Sequence, residues 1–133
     1  MRSIWRNLSL LTCDDGRRVF PDGAVVTDDD TITWVGAAQD LPTGVAADRT
    51  IELAGRWLTP GLIDCHTHIT WEMNDASRLQ MVEKSDADYA LDGLVFGRRT
   101  LAAGFTTIRN VGSIGRAAFS LRGYCLTLSV RIA

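Results

Sequence analysis

The sequence lacks the features that mark secreted, membrane-spanning and nucleic-acid-binding proteins. It contains three cysteines and no Cys-x-x-Cys pair, so we expect reduced thiols and a cytoplasmic protein. No run approaches the roughly 18 apolar residues of a membrane span, so we expect no membrane segment. The net charge of −2 excludes a polycationic surface, so no nucleic-acid partner is expected. An apolar content of 46% nevertheless allows a folded domain with a core.

Histidine is also scarce, and both histidines of the chain lie in one segment. Pro60-Gly61 is a break, Leu62-Ile63 favours a buried strand, and His66 and His68 follow where that strand should end. Because strand side chains alternate between faces, the two imidazoles should point the same way and reach one metal ion at about 2.0–2.1 Å. We therefore predict that His66 and His68 bind a divalent metal, although an isolated His-x-His is more often a satisfied core or surface pair. Cys65 should face the other way, as a small core residue.

The first part of the chain, residues 1–59, has the pattern of a small β-sheet. Asp28-Asp29-Asp30 separates two β-prone runs and favours a hairpin turn over a cation loop, because its spacing is not that of an EF-hand. Trp34 and Trp57 are expected in the core or at an interface of this sheet. The predicted strands are Ile4–Thr12, Ala24–Thr27, Thr31–Val35, Thr50–Leu53 and Trp57–Thr59.

The pattern changes after His68. Residues 69–85 are predicted as a loop, and Ser85-Asp86-Ala87-Asp88 resembles a capping box that starts a helix running to about Ala103. Gly104 suits the position after the helix, and 105–109 favours a second strand. Strand, helix and strand predict a right-handed crossover between parallel strands.

Three segments of the chain form an ordered set of motifs: Ile32-Thr33-Trp34-Val35-Gly36, residues 51–68 ending in His66-Thr67-His68, and residues 98–112. Together they resemble the amidohydrolase superfamily, whose members are metal-dependent hydrolases built on a (β/α)8 barrel. Within it, residues 51–68 are similar to imidazolonepropionases and 98–112 to dipeptidases of the prolidase type. The resemblance implies a mixed fold: an N-terminal partial β-sandwich, residues 1–59, followed by the first βαβ portion of an incomplete barrel, residues 60–133.

The resemblance also implies a chemistry. His66 and His68 match the His-x-His pair that ends the first barrel strand and binds the metal, usually zinc. The metal would activate a water for hydrolysis of a C–N bond in a small amide, dipeptide or cyclic amide, with an aspartate from a later strand as base. A homo-oligomer is compatible with this family.

The sequence departs from the family pattern after His68. It has no further histidine, its single lysine is Lys84, and Asn110 stands where family members usually carry an acidic residue. Asp64 is a poor candidate to complete the metal site, and a (β/α)8 barrel typically needs about 250 residues. Beyond Gly112, family members carry an exposed loop and a helix, and residues 117–133 are not the expected continuation. Within them, Leu126, Leu128, Val130 and Ile132 alternate like a strand.

We therefore expect an N-terminal fragment of an amidohydrolase that is inactive alone. Two alternatives remain at this stage. One is a small metal-binding or interaction module, and the other is a structural domain whose histidines bind no metal.

Overall fold

The structure of the protein, a computed structural model, describes residues 1–125 and 131–132. The chain divides into two compact units, Met1–Pro60 and Gly61–Ala133. No helix among the described residues is long and apolar enough to cross a membrane.

The first unit is a four-stranded sheet with the strand order β3-β2-β1-β4. Strands β1 and β2 pair antiparallel, as do β2 and β3, whereas β4 runs parallel to β1. A single 3-10 turn, Ala38–Asp40, follows β3. The strands are β1 (Arg2–Leu11), β2 (Val19–Asp28), β3 (Thr31–Ala37) and β4 (Arg49–Leu58).

Alternating apolar residues hold this sheet together. Leu8, Leu10 and Val25 form its buried cluster, so the period-2 pattern of β1 and β2 directs these side chains to the core. The hairpin predicted at the aspartate triplet is confirmed, since β2 ends at Asp28 and β3 begins at Thr31.

Strand β4 differs from the prediction, which divided it into two strands. Ala54 and Gly55 adopt positive φ angles of 51° and 75°, and the register with β1 shifts between Arg6 and Leu8. The irregularity is a bulge within one strand, and not a break between two strands. Trp57 is 63% exposed, so it does not belong to the core of the described sheet, whereas Trp34 is half-buried.

The second unit alternates strands and helices. Strands β5, β6 and β7 form a parallel sheet in that order, as predicted for the first two. Ile69, Ile108 and Leu121 form its buried cluster, against which Leu94 and Phe96 pack. The elements are β5 (Leu62–Thr67), α1 (Ser77–Glu83), α2 (Asp86–Ala102), β6 (Phe105–Asn110), α3 (Ala117–Cys125) and β7 (Arg131–Ile132).

The capping prediction for α2 is confirmed. The Ser85 hydroxyl accepts from the backbone N–H of Asp88, and the Asp88 carboxylate accepts from the backbone N–H of Ser85. Gly104 follows the helix with a φ of +94°, a conformation that glycine adopts at no steric cost.

Three predictions for this unit are wrong. The segment 69–85, predicted as a loop, contains the helix α1. Residues 117–125 form the helix α3, although we expected this part of the chain to lack the helix that family members carry. Of the strand predicted around Leu126, Leu128, Val130 and Ile132, residues 126–130 lie outside the described residues. The strand Leu62–Ile63 and Cys65, which we expected to be buried, are exposed, Leu62 by 50% and Ile63 by 64%, because the described residues leave both faces of β5 largely uncovered there.

Candidate metal centre

The two histidines lie together at the carboxyl end of β5. His66 belongs to the strand, and His68 follows one residue after the strand ends at Thr67. Their ring centroids are 5.7 Å apart with an interplanar angle of 70°. Two imidazoles that bind one ion at about 2.0–2.1 Å in a tetrahedral arrangement have centroids roughly 5 Å apart, so the observed separation suits a shared ion.

A backbone carbonyl fixes the orientation of the second imidazole. Nδ1 of His68 lies 3.1 Å from the carbonyl oxygen of Gly112. Because a carbonyl oxygen only accepts, Nδ1 must carry the proton, which leaves the lone pair on Nε2. Histidines that bind metals typically donate their other ring N–H to such a carbonyl or to a carboxylate. His68 therefore has the tautomer of a metal ligand.

Three further hydrogen bonds attach the end of β5 and the turn after it to the segment Asn110–Ser113. This segment consists of the last residue of β6 and the three residues that follow, and we call it the β6 loop. The backbone N–H of Val111 donates to the Thr67 carbonyl at 2.9 Å. The backbone N–H of Ile69 donates to the Asn110 Oδ1 at 3.0 Å. The hydroxyls of Thr70 and Ser113 are 2.6 Å apart. The carbonyl that orients His68 thus sits on a loop held at several points.

An indole ring packs against the second histidine. The ring centroids of His68 and Trp71 are 5.1 Å apart with an interplanar angle of 51°. The backbone N–H of Trp71 also donates to the His68 carbonyl at 3.4 Å, which closes a tight turn. Trp71 therefore contributes a ring contact to His68 in addition to the hydrogen bond at Gly112.

The nearby carboxylate and thiol do not extend the histidine pair into a larger cluster. Asp64 uses its Oδ1 to accept from the His66 backbone N–H at 2.9 Å, so that oxygen stabilises the strand end. The side chain of Cys65 is exposed, and its backbone carbonyl accepts a hydrogen bond of 2.8 Å from Nε of Arg109. No group of three or more His, Cys, Asp or Glu side chains that could hold a metal ion occurs among the residues that the structure describes.

The lysine is engaged elsewhere. The ammonium group of Lys84 donates a hydrogen bond of 2.6 Å to the Asp92 carboxylate, and this hydrogen bond raises the pKa of the lysine. A raised pKa disfavours the neutral amine that a metal ligand requires. The donor set of the described residues is therefore two imidazoles, which fits half of a four-coordinate zinc shell.

Sequence reasoning predicted the two histidines but missed Gly112, Asn110 and Trp71 as their neighbours. The first two reach the site only because β6 pairs with β5, which no local pattern reveals. Trp71 lies three positions after His68, and an aromatic residue at that distance was the single local signal.

A model of the amidohydrolase family matches residues 57–123, half of the chain, and spans the histidine pair and the β6 loop. The chain belongs to the amidohydrolase family. Members of this family generally bind divalent metals, so the paired imidazoles occur in a family whose chemistry uses such ions.

Two sequence relatives carry the name imidazolonepropionase. An imidazolonepropionase of Pseudomonas entomophila is 42% identical over 81 residues, which is 60% of this chain and 20% of that protein. An imidazolonepropionase of Acidiphilium cryptum is 48% identical over 69 residues, covering 50% of this chain and 17% of that protein. The amidohydrolase chain thus spans about a fifth of the length of these curated relatives.

Solved structures confirm the fold over nearly the whole chain. A Xaa-Pro dipeptidase with bound methionine in its active site gives a TM-score of 0.79 at 23% identity, covering 99% of this chain and 32% of that one. Guanine deaminase from E. coli gives a TM-score of 0.77 at 15% identity, covering 99% and 35%. At these identities the likeness establishes the amidohydrolase fold alone, including its N-terminal sheet.

Proposed function

We propose that His66 and His68 are two ligands of a divalent metal ion, zinc, in the hydrolytic centre of an amidohydrolase that cleaves a C–N bond. The observation that carries the proposal is the hydrogen bond from His68 Nδ1 to the Gly112 carbonyl, which leaves Nε2 free to bind a metal. The exposure of both histidines supports it, because a catalytic metal must remain accessible to substrate.

The residues of this chain have two roles in such a centre. His66, held in β5, and His68, oriented by the β6 loop, present imidazole nitrogens from one strand end. Asp64 holds the His66 backbone through its Oδ1. A zinc ion in this position would lower the pKa of its bound water to about 7 and polarise the scissile carbonyl.

The substrate we propose is a small amide. The name shared by the sequence relatives favours a cyclic amide of the imidazolone type, and a dipeptide is the second candidate. In this arrangement residues 1–59 form the leading sheet domain and 60–133 the start of the catalytic barrel. We further propose that the protein acts in the cytoplasm and that the 133-residue chain alone does not turn over substrate.

Zinc titration followed by histidine NMR tests the metal site directly, because the chain has two histidines and hence two sets of imidazole signals. We expect both sets to shift together, with His68 bound through Nε2. His66→Ala and His68→Ala should each lower zinc affinity more than roughly tenfold, the smallest loss typical of outer-shell changes. Asp64→Asn is the matched control, since it keeps an oxygen that can accept from the His66 N–H. Independent shifts, or unchanged affinity in both alanine variants, would refute the site.

A further inference from the structure

We propose that Asn110 is a positioning residue for His68, and that its amide oxygen keeps the imidazole in the tautomer that leaves Nε2 free. This inference rests on the proposed metal site. It adds a residue that acts through the backbone, because its side chain binds the N–H directly after His68.

The geometry places Asn110 between the two segments that define the imidazole position. Its Oδ1 accepts from the backbone N–H of Ile69, the residue directly after His68, at 3.0 Å. Two positions after Asn110, the carbonyl of Gly112 lies 3.1 Å from His68 Nδ1. One side chain therefore ties the backbone that carries His68 to the loop that orients its ring.

Burial makes this hydrogen bond hard to replace. Ile69 is 4% exposed and Thr70 is fully buried, so water has little access to the Ile69 N–H. Without the Asn110 oxygen, that donor must find another partner, and the turn after β5 has to move to provide one. A movement of about 1 Å at this turn is enough to break the contact between Nδ1 and the Gly112 carbonyl.

The chemistry of the side chain matters as well as its position. The asparagine oxygen accepts without adding charge, whereas an aspartate at 110 would accept equally well and add a negative charge beside the site. Asn110→Asp therefore keeps the positioning hydrogen bond, and Asn110→Ala removes it. Asn110→Ser also removes the hydrogen bond but keeps a polar side chain, because its oxygen is attached one carbon closer to the backbone and falls short of the Ile69 N–H.

The test measures the His68 tautomer by nitrogen NMR of the imidazole in the metal-free chain. We expect the Nδ1–H form in the wild type and in Asn110→Asp, and a shift towards the Nε2–H form in Asn110→Ala and Asn110→Ser. A merely structural role would lower stability but leave the tautomer unchanged in the folded molecules. If Asn110→Ala does not fold, Asn110→Ser provides the same comparison.

Zinc affinity measured on the same variants separates this inference from the proposed function. We expect a loss of about tenfold in Asn110→Ala and Asn110→Ser, within the range for outer-shell partners, and no loss in Asn110→Asp. An unchanged tautomer in both loss variants, or failure of Asn110→Asp to keep it, overturns the positioning role. A tautomer shift in a chain that binds no zinc supports the positioning role and overturns the metal site.

Discussion

At the scale of single residues, the geometry of the site depends on the Gly112 carbonyl that contacts His68 as much as on the histidine itself. The His-x-His pair could be predicted because alternation along one strand is a local property. Gly112 could not, because it lies 44 positions away and meets His68 only through the pairing of β5 with β6. The predicted core position of Cys65 failed for a related reason, since alternation gives the face of a side chain but not what covers that face.

Gly112→Ala tests the contact at this scale. A Cβ at position 112 would lie 3.2 Å from both Cε1 and Nδ1 of His68, tighter than ordinary van der Waals contact. The imidazole must shift away from the carbonyl, so we expect zinc affinity to fall about tenfold. Calorimetric titration of the 133-residue chain with zinc measures the change.

Gly97→Ala is the matched control for that substitution. A Cβ added there meets no described atom within 4 Å other than its chain neighbours and the nearby backbone of its own helix, α2. We expect unchanged zinc affinity and a gain of about 0.5–1 kcal/mol in stability, because alanine favours a helix over glycine. Equal zinc affinities for the two variants would show that the close approach of Gly112 does not position His68.

At the scale of elements, local signals explain which helices could be predicted. Helix α2 was predicted because its capping box is written in four consecutive residues. Helix α1 was missed because its N-cap, Ala76, makes no side-chain hydrogen bond and so leaves no such signature. The bulge at Ala54 in β4 was taken for a strand end, since positive φ angles reflect pairing that the sequence does not show.

Ser85→Ala tests the α2 cap. Loss of the hydroxyl leaves the Asp88 N–H without its capping partner, and we expect a loss of about 1 kcal/mol of stability in urea unfolding. The Ser85 hydroxyl is also the main cause of the lowered pKa of Asp88. In the variant this pKa should rise towards its ordinary value of 3.8, as measured by carboxyl NMR titration.

The pH dependence of the cap follows from the sign of that shift. Because the folded pKa of Asp88 is depressed, its contribution is fully present above pH 3.8 and is lost as the pH falls through the lower folded value. The difference in stability between wild type and Ser85→Ala should therefore shrink in acid. Ser85→Thr, which keeps a capping hydroxyl, is the control. A free energy of unfolding in Ser85→Ala that equals that of the wild type at every pH would contradict the role of the cap.

At the scale of the whole molecule, the chain has the fold of its family, and its described residues bring two imidazoles together. Its family could be predicted from ordered motifs, and the fold likeness to the dipeptidase extends over 99% of the chain. The exposure of Leu62 and Ile63 could not be predicted from the sequence, because burial of a strand depends on neighbours that its own sequence does not encode. The same holds for catalysis, which needs ligands from several strands.

We predict that the purified 133-residue chain binds zinc but does not hydrolyse amides. Two imidazoles retain the ion weakly, and the sequence contains no other histidine to complete the shell. Assays with an imidazolone and with a dipeptide, in saturating zinc, should give the rate of buffer containing zinc alone. His66→Ala serves as the control for trace contamination. Hydrolysis that requires zinc, stops with a chelator and is lost in His66→Ala would show instead that this donor set is sufficient for catalysis.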